Sequence, residues 1–300
     1  MHFFIMGGTG FIGEFLLRYL LEQGHSVEAL SRPGSSLPLE HPDLVRVEGN
    51  ALNAGPWQDR VDKAQVVVNL VGSSIMTRWT EDAKQRIRNT RFLSTDRAVE
   101  ALGREGGKTF FCANAVGYYG DGGDSTLTEE SPPGEGFLAE VCVEWQSRAE
   151  KAREEGHRVV VGRFAPVLGP GGGVLEQMLP PFKLGVGGKI GSGKQWFPWI
   201  HVLDLVRFVE YASVHEGIEG PVNVCAPDVV TNQVFTKTLG DVLKRPTLLT
   251  VPSFAVKLAY GEAAQSVLGS TRAVPQRLLE EAFHFEHPNL KEALEAVLQK

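Results

Sequence analysis

The sequence predicts an α/β fold: a doubly wound parallel sheet followed by a smaller C-terminal region. Three observations carry this. An apolar strand at the start runs through a glycine turn into an amphipathic helix. Strand-like and helix-like segments alternate through the first half. From Pro166 onward, glycine and proline punctuate the chain.

The opening element is His2-Phe3-Phe4-Ile5-Met6, a short buried strand. It leads into Gly7-Gly8-Thr9-Gly10-Phe11-Ile12-Gly13 and then the helical run Glu14 to Leu21. Each glycine has its own task. Gly7 lets the strand turn sharply, Gly10 lets backbone approach a diphosphate, and Gly13 lets the helix pack on the strand. The first N–H groups of the helix lack intrahelical partners, and the helix dipole is positive there. Strand, glycine turn and helix together make a Rossmann fingerprint. Gly7, Thr9, Gly10, Phe11, Ile12 and Gly13 are the candidate diphosphate contacts.

Further strands are predicted at 26–30, 44–47, 64–70, 108–113 and 158–163, with helices over 81–104 and 137–155. The run at 64–70 is nearly all apolar, as a central parallel strand should be. A returning strand is expected near Val222-Asn223-Val224. The predicted division is an NAD(P)-binding Rossmann domain over 1–225, with a loop-rich insertion at about 166–200, and a C-terminal substrate-side region over 226–300. Long irregular stretches in compact proteins are usually binding loops or lids.

An apolar share of 42%, a charged share of 22% and a net charge of −6 fit a soluble globule and argue against nucleic acid as a partner. No apolar run is long enough for a bilayer, and the N-terminus is a strand rather than a signal peptide. Cys112, Cys142 and Cys225 lie far apart without metal-type spacing and read as reduced thiols. The expectations are a cytoplasmic protein, a monomer or homodimer, with no metal, no membrane partner and a small-molecule substrate.

The end of the second strand decides between nicotinamide cofactors. An acidic residue there bonds the ribose hydroxyls of NAD. This strand ends Leu30-Ser31-Arg32-Pro33, with no acid. A guanidinium pairs with a 2′-phosphate, which a carboxylate would repel. Arg32, with Ser31 as a second donor, favours NADP, with NAD kept as the alternative. The competing reading of Arg32 is a solvated surface charge. Leu70, Val71 and Gly72, after the fourth strand, would wall the adenosine.

The spacing Gly-x-x-Gly-x-x-Gly resembles the short-chain dehydrogenase/reductase superfamily, and Gly-Gly-Thr-Gly-Phe-Ile-Gly resembles its extended, epimerase-type branch. Ala115 to Asp121, the segment Arg163 to Gly171, and Trp199-Ile200-His201-Val202-Leu203-Asp204-Leu205 are similar to elements of that branch. Pro132 to Glu140, Met178 to Phe182, Gly191 to Trp196 and Pro275 to Leu279 resemble a subgroup of NAD(P)-binding epimerase-family proteins. The C-terminal segment of that subgroup is a domain of unknown function. The resemblance implies that Asn50, where this branch usually carries Asp, faces the adenine. It also implies that Ala113, Phe164, Ala165 and Pro166 approach the nicotinamide.

The superfamily's chemistry, by the same resemblance, rests on Tyr-x-x-x-Lys: the lysine lowers the tyrosine pKa, and the phenol moves a proton as hydride moves. No tyrosine here has lysine four residues on. The matching register places Leu138 for the tyrosine and Cys142 for the lysine. Asn114 stands where a serine is common. Asn114, Tyr118 and Tyr119 are the candidate substitutes. The competing reading makes both tyrosines structural, one packed and one bonded to backbone. His201 with Asp204, Cys142, Glu140 with Glu144, and Lys194 with Trp196 are further pairs or single groups that admit chemistry or mere support.

Three functions follow. The first is an NADP-dependent oxidoreductase or epimerase with non-standard proton donors and an unknown substrate. The second is a non-catalytic NADP(H)-binding sensor or scaffold. The third is a module whose Rossmann site takes another nucleotide.

Overall fold

The computed structural model describes residues 1–298. Seven strands form the central sheet: β1 (His2–Met6), β2 (Ser26–Ser31), β3 (Leu44–Glu48), β4 (Val66–Asn69), β5 (Thr109–Ala115), β6 (Arg158–Phe164) and β7 (Gly220–Val224). Their order across the sheet is β7-β6-β5-β4-β1-β2-β3, and every neighbouring pair is parallel. Parallel neighbours require crossovers, and helices supply most of them. These helices are α1 (Phe11–Glu22), α2 (Glu81–Leu102), α3 (Phe137–Glu150), α4 (Gly173–Lys183) and α5 (Val202–Val214). Helix α1 packs beside α5 and α2 beside α3, so both faces of the sheet are covered. This is the doubly wound Rossmann architecture the sequence predicts.

The central strands explain themselves. Val66, Val67 and Val68 have no exposure, nor do Phe110 and Phe111 on β5 or Val159, Val160 and Val161 on β6. Covered on both faces, such strands need no polar alternation. Each fully buried side chain of this size stabilises the fold by about 1.5–3 kcal/mol relative to exposure.

The expected insertion at 166–200 is more regular than its glycines and prolines suggested. It carries the eleven-residue helix α4, with Pro180 and Pro181 inside it. Burial of Leu175 and Phe182 against the core, with Val174, Met178 and Leu179 packed beside them, overrides the weak local propensity. The same insertion holds a short strand, Val167–Gly169, paired in parallel with Ile200–His201.

Beyond β7 come α6 (Asn232–Leu243), a helix Ser253–Tyr260 and a final helix from Leu290. Short strand pairs tie this part to the rest. Leu249–Val251 joins Gly188–Ile190, Val230–Thr231 joins Trp196–Phe197, and Arg272–Ala273 joins Thr126–Leu127. One buried apolar cluster includes residues from Phe3 to Val297, and a smaller one gathers Trp79, Ile87, Phe137, Val141 and Ala263. Among the described residues, no helix is long and apolar enough to cross a membrane.

Candidate functional site

The sheet order reverses between β1 and β4, which opens a crevice beyond their carboxyl ends. Gly7 turns there with φ +91°. A Cβ on Gly7 would lie 3.0 Å from the Leu70 carbonyl carbon and 3.2 Å from Val71 N. The turn is closed by Gly10 N–H donating to Gly7 O at 3.0 Å. A Cβ on Gly13 would overlap the Gly7 carbonyl oxygen and lie 2.7 Å from Gly8 Cα. At Gly7 and Gly13, backbone contact thus leaves no room for a side chain. Helix α1 begins after Gly10 with no side-chain cap, so its first N–H groups face the crevice unspent.

Two further cradle elements close over this turn. Phe11, the first residue of α1, lies under the loop Gly169–Gly173; a Cβ on Gly169 would be 2.8 Å from Phe11 Cζ. The Asn69 side chain braces the β4 exit, accepting from Val71 N at 3.1 Å and donating to Ser94 and Thr95. Leu70, Val71 and Gly72 therefore stand as a fixed wall.

At the end of β2, Arg32 is exposed and has no hydrogen bond or ion pair from its side chain among the described residues. Ser31 is 2% exposed, and its Oγ accepts from Arg46 Nε at 2.8 Å. Arg46 Nη2 also donates to the Arg32 carbonyl at 3.4 Å and lies 3.3 Å from Glu48. A second guanidinium thus sits beside Arg32, one that the sequence reading missed. Asn50 Oδ1 accepts from Leu52 N at 3.0 Å, so one of its lone pairs is taken by the loop itself.

At the exit of β5, a Cβ on Gly117 would lie 3.6 Å from Leu138 Cβ and 3.8 Å from Cys142 Sγ. Leu138 and Cys142, which the resemblance implies stand for the superfamily's tyrosine and lysine, line this turn. Cys142 is buried, and burial pushes its thiol up to about 11. Asn114 is spent on the fold: Nδ2 donates to the Cys142 carbonyl at 2.9 Å and Oδ1 accepts from Ala115 N at 2.8 Å. Tyr119 is spent too. Its hydroxyl lies 2.8 Å from the Thr128 carbonyl and 2.7 Å from Asn223 Oδ1, and accepts from Arg163 Nη1 at 2.8 Å. Burial pushes it up to about 12. Tyr118 is different. It is half-buried, its ring lies 3.5 Å from the Arg163 guanidinium carbon, and its hydroxyl has no protein partner among the described residues.

Residues 3–225 match the NAD dependent epimerase/dehydratase family, and residues 251–297 match a domain of unknown function, DUF1731. An Arabidopsis thaliana epimerase family protein (SDR39U1 homolog, chloroplastic) is 37% identical over 304 residues, covering 98% of this chain and 86% of that protein. The epimerase family protein YfhF of Bacillus subtilis is also 37% identical, covering 99% of this chain and 98% of its own. This chain belongs to the NAD dependent epimerase/dehydratase family. The crystal structure of human epimerase family protein SDR39U1 with NADPH superposes with a TM-score of 0.86 at 30% identity, covering 99% of each chain.

In this family member the residues expected on the nicotinamide side are buried: Ala113, Phe164 and Ala165 are 6%, 8% and 3% exposed. Ala165 N donates to the Val224 carbonyl, and the Pro166 carbonyl accepts from Ile200 N. The pair His201 and Asp204 proves to be a brace. His201 Nδ1 caps α5 by accepting from Leu203 N at 3.2 Å. Asp204 has no exposure and accepts from Glu286 N at 2.7 Å and His287 N at 2.9 Å. Burial, with His287 beside it, pushes His201 down to about 3, while burial raises Asp204. Trp196 folds its own loop, donating to Asp124 at 3.0 Å under the Arg272 guanidinium, and Lys194 is exposed. Glu140 and Glu144 pair with Arg88 and Arg148 on the surface.

A groove of about 910 Å³ opens at the opposite end of the sheet, lined by Met1, Gln65, Thr109 and Arg158. Those are amino ends of strands, and Arg158 is occupied with the Ala212 and Ser213 carbonyls at the end of α5 and the Ile218 carbonyl just beyond it. Ligands of this architecture bind at the carboxyl ends, so the groove takes no part in the site.

Proposed function

We propose that this chain binds NADP(H) beyond the carboxyl ends of β1, β2 and β4, and uses the reduced form to reduce a small carbonyl compound, or the oxidised form to epimerise an alcohol carbon by taking a hydride and returning it, at the exit of β5. The observation that carries the reading is the uncapped start of α1 beneath the Gly7–Gly13 turn, with Arg32 and Arg46 side by side at the strand ends. The NADPH in the human relative's crystal supports it. The residues fit the group: any Cβ at Gly7 or Gly13 would fill the turn.

In this reading the backbone at Gly7, Thr9, Gly10, Phe11, Ile12 and Gly13 holds the diphosphate. Arg32 recognises the 2′-phosphate, with Arg46 and the Ser31 hydroxyl it holds completing the pocket. Asn50 faces the adenine, and Leu70, Val71 and Gly72 wall the adenosine. Ala113, Phe164, Ala165 and Pro166 line the nicotinamide side. Bound NADPH supplies the hydride, or the oxidised form takes and returns it. Tyr118 holds the transferable proton at its unpartnered hydroxyl, next to the Arg163 cation. We place the protein in the cytoplasm, on the strength of three buried cysteines without disulfides.

Leu138 and Cys142 at the Gly117 turn favour a second reading, an NADPH-binding sensor without hydride transfer. Single-turnover oxidation of bound NADPH against a panel of carbonyl compounds and nucleotide sugars separates the two. Turnover that Tyr118→Phe abolishes, with NADPH affinity unchanged, supports the enzyme. Tight NADPH binding with no oxidation by any compound supports the sensor.

A further inference from the structure

Helix α2 carries cations at i, i+4 and i+7: Lys84, Arg88 and Arg91. That spacing places them along one stripe. Lys84 pairs with Glu262 at 2.6 Å, and Arg88 lies 3.8 Å from Glu140. Arg91 has no ion pair among the described residues. It is also the cation whose charge burial penalises, which lowers its pKa from the usual arginine value.

The guanidinium is held on two sides. Its carbon lies 5.1 Å from the centre of the Trp145 ring. A Cβ on Gly72 would stand 3.2 Å from both Cζ and Nη2. Nη1 is spent, donating to the Ser73 carbonyl at 3.1 Å and the Ile87 carbonyl at 3.2 Å. Nε and Nη2 have no acceptor among the described residues. That edge is the one that takes a carboxylate or phosphate with two parallel hydrogen bonds. A partly desolvated cation without a counter-charge is costly, and the nearby Cys142 thiol, itself pushed up to about 11, offers none at neutral pH.

The place matters as much as the charge. Gly72 belongs to the β4 exit, and Cys142 faces the Gly117 turn of the β5 exit. Arg91 therefore stands between these two exits. The diphosphate cradle at Gly7–Gly13 follows β1, and the Arg32–Arg46 pair lies beyond it at β2 and β3.

We propose that Arg91 is the anion receptor of the substrate crevice: the substrate carries a carboxylate or phosphate group, which docks on the free Nε–Nη2 edge of Arg91. This rests on the NADPH reading above for the identity of the crevice, and its test is separable from that reading. The probes are malonate, its neutral analogue malonamide, and inorganic phosphate, titrated by calorimetry into the full chain with and without saturating NADPH. The expected result is millimolar binding of malonate, none of malonamide, and competition by phosphate. Arg91→Gln should weaken malonate at least tenfold, and Arg91→Lys should keep part of it. Affinity for NADPH should change less than threefold in either variant. Circular dichroism and the melting temperature establish that the variants are folded. Should Arg91→Gln unfold, Arg91→Lys and the malonate–malonamide contrast on the unaltered chain decide alone. Equal malonate affinity in Arg91→Gln, no malonate binding to the unaltered chain, or loss of NADPH instead of malonate overturns the proposal. If NADPH fails to bind but malonate binding depends on Arg91, the cofactor reading fails and the receptor stands.

Discussion

The ring of Phe11 occupies the space into which a side chain on Gly172 would project. A Cβ there would lie 2.8 Å from Phe11 Cγ and 2.9 Å from Cε2. Phe11 opens the helix of the diphosphate cradle, and Gly172 precedes α4, so the insertion and the cradle are mated through one ring. Gly172→Ala should therefore displace Phe11, costing about 1–3 kcal/mol of stability as overpacking does. It should also weaken NADPH. Phe11→Leu, combined with it, should recover part of the loss. Urea unfolding and NADPH titration of the two single variants and the double variant check the coupling.

Arg32 and Arg46 make a divided prediction. Arg32→Glu should weaken NADPH by about 1.5–3 kcal/mol, the worth of a hydrogen bond to a charged group, and leave NADH nearly unchanged. Arg46→Met should also weaken NADPH preferentially, since it releases the buried Ser31 hydroxyl from its 2.8 Å bond. Equal losses for both cofactors would show that neither arginine reads the phosphate.

The adjacent tyrosines should separate cleanly. Tyr119→Phe leaves Asn223 Oδ1 and Arg163 Nη1 each short of a buried partner, so it should cost about 1–3 kcal/mol in stability. Tyr118→Phe removes a hydroxyl that has no protein partner among the described residues and should leave the melting temperature within a degree or two of the parent. If hydride transfer occurs, single-turnover rates should collapse for Tyr118→Phe alone.

His201 predicts sensitivity to acid. Its folded pKa of about 3 lies below the unfolded value of 6.5, so the unfolded chain binds the extra proton between those limits. Stability is present above pH 6.5 and is lost as pH falls toward 3, at up to about 1.4 kcal/mol per pH unit. Asp204, whose pKa is raised, works against this, because the folded state holds the proton longer there. His201→Asn keeps an acceptor for Leu203 N and removes the titration. Urea unfolding at pH 7.5 and pH 5 should show a smaller acid penalty in that variant than in the parent.

Much of the sheet was legible because apolar runs such as 66–68 and 109–113 sit between glycine or charged boundaries. The cradle was legible because its glycines do one backbone task each. Helix α4 was obscured by Pro180 and Pro181, since the burial of Leu175 and Phe182 that holds it is a tertiary fact. Arg46 was hidden by register: it pairs opposite Ala29, two residues before Ser31, which only the strand alignment reveals. Arg91 did leave a signal in its spacing with Lys84 and Arg88, but the absence of a carboxylate beside it among the described residues is a property of the folded surface. Tyr118 and Tyr119 are neighbours in sequence, and only the position of Arg163 between ring and hydroxyl divides their roles.

The two oxygens of Asp204 are met by amides from residues 286 and 287, more than eighty positions downstream. Those amides are synthesised only after all seven strands of the central sheet. Until they dock, the Asp204 carboxylate has only Arg207, 3.5 Å away on its own helix, as a charged partner. The body of the molecule should therefore lock late, once residues 286 and 287 have docked, rather than strand by strand.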